Sequence, residues 1–235
     1  MEAFARLRRR LEEKAKDLSA KPVTYVAIGD SVTQGLMETG VLEHERVYPQ
    51  LLRLEIAKRH PYAVVNVINA GVGGETAHQS RSRWQRDVIS HQPDLVTIKY
   101  GLNDVHEGAQ GLRRYIGAIR DLVLLIQTET DADLLLLTPS MLMKRDNSRI
   151  AGSDRRYIPT YVKLYEENML AKYVEALRSF AAANALPLLD VYAMWEKMEE
   201  EGEDIHERLA NGIDHPDRKF HQQLAEAMAE HILGE

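Results

Sequence analysis

The residue of this sequence best suited to nucleophilic chemistry is Ser31, which comes shortly after the apolar run 23–28. A serine at the turn between a buried strand and a helix exposes its hydroxyl beside backbone N–H groups that have no helical partner. Such N–H groups can stabilise the oxyanion that forms when the hydroxyl attacks a carbonyl group. The simpler interpretation is that Ser31 or Asp30 only caps the following helix.

Two later loops contain groups that could assist a serine nucleophile. Residues 69–74 read Asn-Ala-Gly-Val-Gly-Gly, and residues 101–104 read Gly-Leu-Asn-Asp. A tight turn at Gly74 would let a backbone N–H face a reacting carbonyl, and Asn103 offers a side-chain amide. The alternatives are that the glycines only reverse the chain and that Asn103 is an ordinary turn residue. Asp104 is expected to brace its loop or to cap the next helix.

A serine nucleophile needs a base, and histidine is the natural one near neutral pH. His215 lies in a loop-to-helix junction that could fold back over the edge of a sheet, and His206 and His221 are its rivals. The sequence has no cysteine and no H-E-x-x-H spacing, so we expect neither a metal ion nor a cofactor. The glycines do not follow G-x-G-x-x-G and no P-loop lysine follows them, which disfavours a phosphate or nucleotide binder.

The elements that must position these residues are strands and helices in alternation. Apolar runs typical of strands buried on both faces occur at residues 23–28, 63–68, 94–100, 134–138 and 185–189. Between these runs the apolar residues recur with helical spacing, for example across residues 162–180. This order predicts an α/β fold, namely a flavodoxin-like three-layer α/β/α sandwich with about five parallel strands and helices on both faces. Ligands bind at the carboxyl ends of such strands, where the candidate residues lie.

The beginning of the chain is predicted to be an amphipathic helix over residues 1–21, ahead of a single α/β domain over residues 22–235. Its apolar stripe consists of Phe4, Leu7, Leu11 and Leu18. We expect this stripe to dock on the domain of the same chain, and a second subunit is the alternative. Self-association of the protein therefore stays open.

The composition limits the classes of partner. The 235 residues include 30 Lys and Arg against 36 Asp and Glu, which gives a formal net charge of −6. This balance disfavours a nucleic-acid partner, because neutralising phosphates requires a basic surface. The apolar runs are too short to span a bilayer, and the first residues lack the apolar stretch of a signal peptide. We therefore expect no membrane insertion and residence in the cytoplasm.

Together, and in this order along the chain, these segments resemble the motifs of the SGNH (GDSL-type) hydrolase family. The matching motifs are Gly29-Asp30-Ser31, Asn69-x-Gly71-x-x-Gly74, Gly101-Leu102-Asn103-Asp104 and His215-Pro216. The resemblance extends from about residue 23 to the end of the sequence.

The resemblance implies a serine esterase that hydrolyses acetyl or other short-chain esters of small molecules through an acyl-enzyme. Ser31 would be the nucleophile and His215 the base. The oxyanion hole would consist of the backbone N–H groups of Ser31 and Gly74 and the side-chain amide of Asn103. The alternatives are a lysophospholipase or thioesterase of the same family, or a ligand-binding protein of the same fold without catalysis.

One motif departs from the family pattern. The family has Asp-x-x-His, but the residue three positions before His215 is Gly212. We assign Asp214 as the third catalytic residue, which would orient the histidine ring. A backbone carbonyl, Asn211, or a Ser–His dyad without an orienting carboxylate are the alternatives. Asp190 follows the fifth run and is expected to cap a helix.

The segment 141–161 follows the fourth run at the same predicted edge. Its first three residues, Met-Leu-Met, could line an acyl pocket, because methionine adapts to irregular apolar shapes. Its basic residues could meet an anionic leaving group. The alternative is a solvated loop held by salt bridges. Residues 32–37, beside the nucleophile, are a second candidate wall.

Overall fold

The structure is a computed structural model that describes residues 3–234. Its centre is a five-stranded parallel sheet with the strand order β2-β1-β3-β4-β5. The strands are β1 (Val23–Gly29), β2 (Val65–Gly71), β3 (Leu95–Lys99), β4 (Asp133–Leu137) and β5 (Leu188–Leu189). The predicted number and parallel direction of the strands are confirmed, and the strand order is that of a flavodoxin-like sheet.

Helices cover both faces of the sheet and complete the predicted three layers. They are α1 (Ala5–Lys16), α2 (Ser31–Gln34), α3 (Tyr48–Arg59), α4 (Trp84–Asp87), α5 (Gly108–Glu129), α6 (Ile158–Glu166), α7 (Met169–Ala183), α8 (Val191–Glu200) and α9 (Arg218–Leu233). Helices α1, α3, α8 and α9 pack on one face, and α5 and α7 pack on the other. None of the helices within residues 3–234 is both long and apolar enough to cross a membrane.

Strand β1 shows why the sequence forms a buried central strand. All seven of its residues are buried. Successive side chains of a strand point to opposite faces, so Tyr25 and Ala27 join one half of the core, and Val26 and Ile28 join the other. A strand covered on both faces therefore needs a continuous apolar run, which is the pattern that predicted it.

The helical period expected across residues 162–180 is divided between two helices. Helix α6 ends at Glu166 and α7 begins at Met169. Between them Asn168 has a φ of 51°, a left-handed conformation that ends a right-handed helix and that asparagine adopts more easily than most residues. Apolar spacing continues through this break, so the pattern alone predicts one helix.

The stripe of α1 is buried in the core of its own chain. Phe4, Leu7 and Leu11 lie within the half of the core that α3 and α9 cover. The backbone N–H of Leu7 donates to Asp133 Oδ2 over 2.7 Å. Leu18 lies beyond the end of the helix and is 76% exposed, so its assignment to the stripe was wrong. The domain boundary after residue 21 stays a prediction.

Candidate active site

Ser31 is the first residue of α2, and only Asp30 separates it from the end of β1. The carboxylate of Asp30 accepts a hydrogen bond of 3.0 Å from the Val32 N–H and so caps this short helix. The capping interpretation therefore applies to Asp30 and not to Ser31. Within residues 3–234 the Ser31 hydroxyl makes no hydrogen bond, and the side chain is available for chemistry.

The end of β2 and the loop after it, residues 70–75, are fixed against the turn at Ser31; we call this segment the glycine loop. Asn69 Nδ2 donates to the carbonyl of Thr33 over 2.7 Å. A Cβ atom at Gly71 would lie 2.2 Å from the backbone nitrogen of Gln34, so only glycine allows this approach. The Gly73 N–H donates to Gln34 Oε1 over 2.7 Å. These contacts hold the glycine loop and the turn at Ser31 as one unit.

The three N–H groups expected to form the oxyanion hole each have a hydrogen without an acceptor among the described residues. Two are the backbone N–H groups of Ser31 and Gly74, and the third belongs to Asn103. Asn103 Nδ2 uses one hydrogen to donate to the carbonyl of Glu75 over 3.1 Å, which leaves its second hydrogen free. A Cβ atom at Gly73 would lie 3.8 Å from Ser31 Cβ, so the glycine loop adjoins the serine side chain. Unused donors beside a free hydroxyl are what an oxyanion hole requires.

Asp104 braces the loop of residues 101–104 that contains Asn103, as predicted. Its Oδ1 accepts a hydrogen bond of 3.0 Å from the Ala77 N–H, just beyond the glycine loop. Its Oδ2 is buried and has no hydrogen-bond partner within residues 3–234. Burial therefore raises the pKa of Asp104 to about 7.

The ring of His215 docks on the segment that follows the nucleophile. Its Nδ1 lies 2.9 Å from the carbonyl oxygen of Met37. The same segment is tied to the nucleophile, because the Leu36 N–H donates to the carbonyl of Ser31 over 3.0 Å. No hydrogen bond joins the Ser31 hydroxyl to the ring in the part of the chain described. Catalytic hydrogen bonds are commonly long without substrate and shorten when it binds.

Asn211 shapes the loop that carries His215; we call residues 209–217 the histidine loop. Its Oδ1 accepts hydrogen bonds of 2.9, 3.0 and 2.9 Å from the N–H groups of Ile213, Asp214 and His215. Its Nδ2 donates to Asp214 Oδ1 over 2.8 Å. Asn211 therefore holds the turn and does not itself contact the ring.

Asp214 lies beside the ring, but not on the side where an orienting carboxylate would be expected. Its Oδ1 is 3.6 Å from His215 Nε2, whereas the nitrogen to be oriented, Nδ1, faces Met37. Its Oδ2 accepts a hydrogen bond of 3.0 Å from the Tyr161 hydroxyl. The tight turn at Asn211 directs the carboxylate to the Nε2 side. A backbone carbonyl, one of the alternatives in the sequence analysis, faces Nδ1 instead, and the role of Asp214 stays a prediction.

The comparison with protein families matches a stretch of the chain that contains all of these candidate residues. Residues 27–223 match the model of the GDSL-like lipase/acylhydrolase family. The chain belongs to this family.

Relatives of this GDSL-like protein include an acetylxylan esterase of Geobacillus stearothermophilus, 32% identical over 95 residues, which are 33% of this chain and 38% of the relative. An uncharacterized lipoprotein of Bacillus subtilis is 35% identical over 80 residues, which are 34% of this chain and 31% of the lipoprotein. The matches thus span about a third of these relatives. Among solved structures, a lipase/acylhydrolase of Enterococcus faecalis has a TM-score of 0.70 at 22% identity, covering 90% of this chain and 96% of its own.

The rival histidines of the GDSL-like chain have structural roles. His206 pairs with Asp204 through Nδ1 over 2.7 Å and accepts from the Lys144 N–H through Nε2 over 3.1 Å. His221 is buried in the core and accepts from the Tyr48 N–H through Nδ1 over 3.1 Å. Desolvation lowers the pKa of His221 to about 3. Asp190 caps α8 by accepting from the Ala193 N–H, as predicted.

A buried cation beneath the nucleophile was missed by the sequence analysis. Lys99 ends β3, is fully buried, and its ammonium has no hydrogen-bond partner among the described residues. Desolvation raises the pKa of the buried Asp30 carboxyl, and the nearby charge of Lys99 opposes this rise. Desolvation likewise lowers the pKa of Lys99, opposed by Asp30 and Asp214. The available signal was a single lysine at the end of an apolar strand.

The segment after β4 holds the histidine loop and does not provide an acyl pocket. Met141, Leu142 and Met143 are buried in the hydrophobic core. The Met143 N–H donates to the carbonyl of Ile213 over 2.7 Å. Four basic residues of this segment form ion pairs: Lys144 with Glu199, Arg145 with Asp204, Arg149 with Glu207 and Arg155 with Asp146. The salt-bridged loop was the correct alternative.

Proposed function

We propose that this protein is a serine ester hydrolase that cleaves acetyl or other short-chain esters through an acyl-enzyme. The observation that supports this most is that the free hydroxyl of Ser31 adjoins the glycine loop, which carries the unused Gly74 N–H and holds the Asn103 amide through the Glu75 carbonyl. A histidine is docked on the segment that follows that serine. A donor set of this kind has no role in an ordinary helix cap, but it matches the charge of a tetrahedral intermediate.

In the first half-reaction, Ser31 Oγ attacks the ester carbonyl and His215 Nε2 accepts the hydroxyl proton. The carbonyl oxygen becomes an oxyanion, which accepts hydrogen bonds from Ser31 N–H, Gly74 N–H and Asn103 Nδ2. Collapse of this intermediate breaks the bond to the leaving oxygen, and His215 gives that oxygen its proton. The alcohol departs and the acyl group stays on Ser31.

In the second half-reaction, water attacks the acyl group while His215 Nε2 takes a proton from the water. The same donors hold the second oxyanion, and collapse releases the carboxylic acid and returns the proton to Ser31. The Met37 carbonyl accepts a hydrogen bond from the Nδ1–H group and so fixes the tautomer in which Nε2 is free for catalysis. Asp214 contributes negative charge near the imidazolium that forms in each step.

We propose a polar alcohol as the leaving group. The His106 ring packs edge-on against Tyr161, with 5.1 Å between the ring centroids, and Tyr161 contacts Asp214. His106 opens onto a groove of about 580 Å³ whose other lining residues are Glu107, Gln110, Gly111 and Arg114. Charged and amide side chains suit a hydroxyl-rich alcohol better than an aliphatic one. The acetylxylan esterase relative is consistent with an acetylated saccharide.

Hydrolysis of p-nitrophenyl esters from acetate to octanoate tests the proposal. We expect the Ser31→Ala and His215→Ala variants to lose at least about 10³-fold in kcat/KM, since each removes an acting group. Ser140→Ala is the matched control, because Ser140 is also buried and also follows a strand at the same edge. Equal rates for wild type and Ser31→Ala would refute the esterase and leave a ligand-binding protein.

The substrate series distinguishes the proposed ester from its alternatives. The rate should be highest with acetate and should fall as the acyl chain lengthens. A maximum at octanoate, or faster cleavage of a lysophospholipid or an acyl thioester, would favour the other activities of the family.

Residence in the cytoplasm and self-association remain predictions. Fractionation of cells that express the untagged protein would test the first. Sedimentation of the full chain and of a chain beginning at Lys21 would test whether α1 takes part in self-association.

A further inference from the structure

A buried arginine lies behind the glycine loop. Arg83 ends the short 3₁₀ helix Gln79–Arg83, and only 7% of its side chain is exposed. A buried guanidinium is costly unless its donors are paired with acceptors of suitable geometry. All three of its nitrogens are paired here, and most of the acceptors belong to the glycine loop or its ends.

Arg83 contacts both ends of the glycine loop. At the beginning, Nη1 donates to the carbonyl of Ala70 over 2.8 Å. At the end, Nε donates to Glu75 Oε1 and Oε2 over 2.9 and 3.0 Å, and Nη2 also pairs with this carboxylate. Tyr100 closes the group, since it accepts from Nη2 over 2.9 Å and donates to Glu75 Oε2 over 3.0 Å. The chain between Ala70 and Glu75 is therefore fixed at two points by one rigid, planar group.

Glu75 links this ion pair to the candidate oxyanion hole. It directly follows Gly74, whose N–H is one of the unused donors. Its carbonyl accepts the hydrogen bond from Asn103 Nδ2, which directs the second hydrogen of that amide. Two of the three oxyanion donors thus depend on the position of the Glu75 backbone.

We propose that Arg83 is a positioning residue of the oxyanion hole, acting through the carboxylate of Glu75 on Gly74 and Asn103. This inference rests on the proposed esterase function. Without the guanidinium, the Glu75 carboxylate would be left nearly buried with only Tyr100 as a partner, and it would turn towards solvent. The adjoining backbone would move with it. A misplacement of about 1 Å at a catalytic group lowers the rate about 10²-fold.

Variants of the ion pair test the inference. Glu75→Gln keeps the size of the side chain and Arg83→Lys keeps the charge, but neither keeps the two-point contact. We expect kcat for p-nitrophenyl acetate to fall about 10- to 10²-fold in Glu75→Gln and in Arg83→Gln, with KM within about twofold. Arg83→Lys should lie between these variants and wild type. The control is Asp87→Asn, because Asp87 also pairs with Arg83 but lies on α4, outside the glycine loop.

A double-mutant cycle separates positioning from a general loss of stability. If Arg83 acts through Asn103, the combined Arg83→Gln and Asn103→Ala variant should lose much less than the product of the two single losses in kcat. Additive losses, or an unchanged kcat in Glu75→Gln, would overturn the inference.

Hydrogen exchange of the backbone amides gives a readout that does not depend on activity. Peptides covering residues 71–77 should exchange faster in Glu75→Gln and Arg83→Gln but not in Asp87→Asn, and unchanged exchange would overturn the inference. If wild type and Ser31→Ala hydrolyse esters equally, the proposed function fails. In that case the exchange result still decides whether Arg83 positions the loop.

Discussion

Replacement of Gly212 by alanine should displace the base of the candidate site. Gly212 lies three residues before His215 and has a φ of +72°. Its carbonyl accepts a hydrogen bond of 2.8 Å from Asn147 Nδ2 in the segment after β4. An added Cβ would lie 2.6 Å from Asn147 Oδ1 and 2.8 Å from the backbone nitrogen of Ile150.

The cost of this change can be worked out from the contacts. A left-handed alanine costs about 1–2 kcal/mol, and loss of the hydrogen bond to Asn147 adds about 1 kcal/mol. The free energy of unfolding should therefore fall by about 2–3 kcal/mol. Restoring an ordinary contact with the Ile150 nitrogen requires a shift of about 0.6 Å. By the sensitivity of about 10²-fold per 1 Å, kcat should fall about tenfold.

Gly202→Ala is the matched control for the backbone term. Gly202 has a φ of +91°, but no atom lies within 4 Å of its Cβ position. Urea unfolding and p-nitrophenyl acetate hydrolysis of both variants measure the two effects. Gly202→Ala should lose about 1–2 kcal/mol and keep its kcat. Equal losses of stability in both variants, with kcat unchanged in Gly212→Ala, would refute the reasoning that this contact sets the position of the histidine.

Other predictions concern the oxyanion donor, the carboxylate beside the ring and two buried titratable groups. Asn103→Ala should lower kcat about 10²–10³-fold with little change in KM, and a loss confined to KM would contradict its role. Asp214→Asn should keep kcat within about tenfold, because the Met37 carbonyl stays on Nδ1. A loss near 10⁴-fold, as for the orienting aspartate of a catalytic triad, would assign that role to Asp214 after all. His221 has a pKa of about 3 when folded, against an ordinary 6.5. The unfolded chain therefore binds the extra proton as the pH falls below 6.5, and stability drops by up to about 1.4 kcal/mol per pH unit. Asp104, with a pKa of about 7 against an ordinary 3.8, has the opposite effect and loses stability as the pH rises between these values. Urea unfolding at pH 5 and pH 7 gives the change in the free energy of unfolding between these pH values. This change should be more positive in Asp104→Asn than in wild type, and more negative in His221→Gln.

The fold was predictable because its strands are buried on both faces. A run such as that of β1 has few alternatives once helical periods precede and follow it. The break at Asn168 was not predictable, since one residue with positive φ leaves the apolar spacing unchanged. The burial of Met141 and Met143 in the core was not predictable either, because methionine suits a core and a pocket equally well.

The candidate site was predictable as far as it consists of side chains at strand ends. Ser31 and Asn103 are such residues, and His215 was predictable as the histidine of a loop before a helix. The partner of the histidine ring was not, because the Met37 carbonyl is a backbone group that every residue type provides. Arg83 was missed for a related reason: its acceptors lie at both ends of a loop, and only the folded chain shows that one guanidinium reaches both.

The contact between Met37 and His215 joins residues 178 positions apart. A nearby contact, between Tyr48 and His221, joins residues 173 positions apart and fastens α9 to α3. During synthesis, the nucleophile and all three oxyanion donors leave the ribosome long before the base does. A nascent chain can thus complete its sheet and still be chemically inert. The onset of hydrolysis would consequently time the docking of the histidine loop and α9 on the part of the chain made before them.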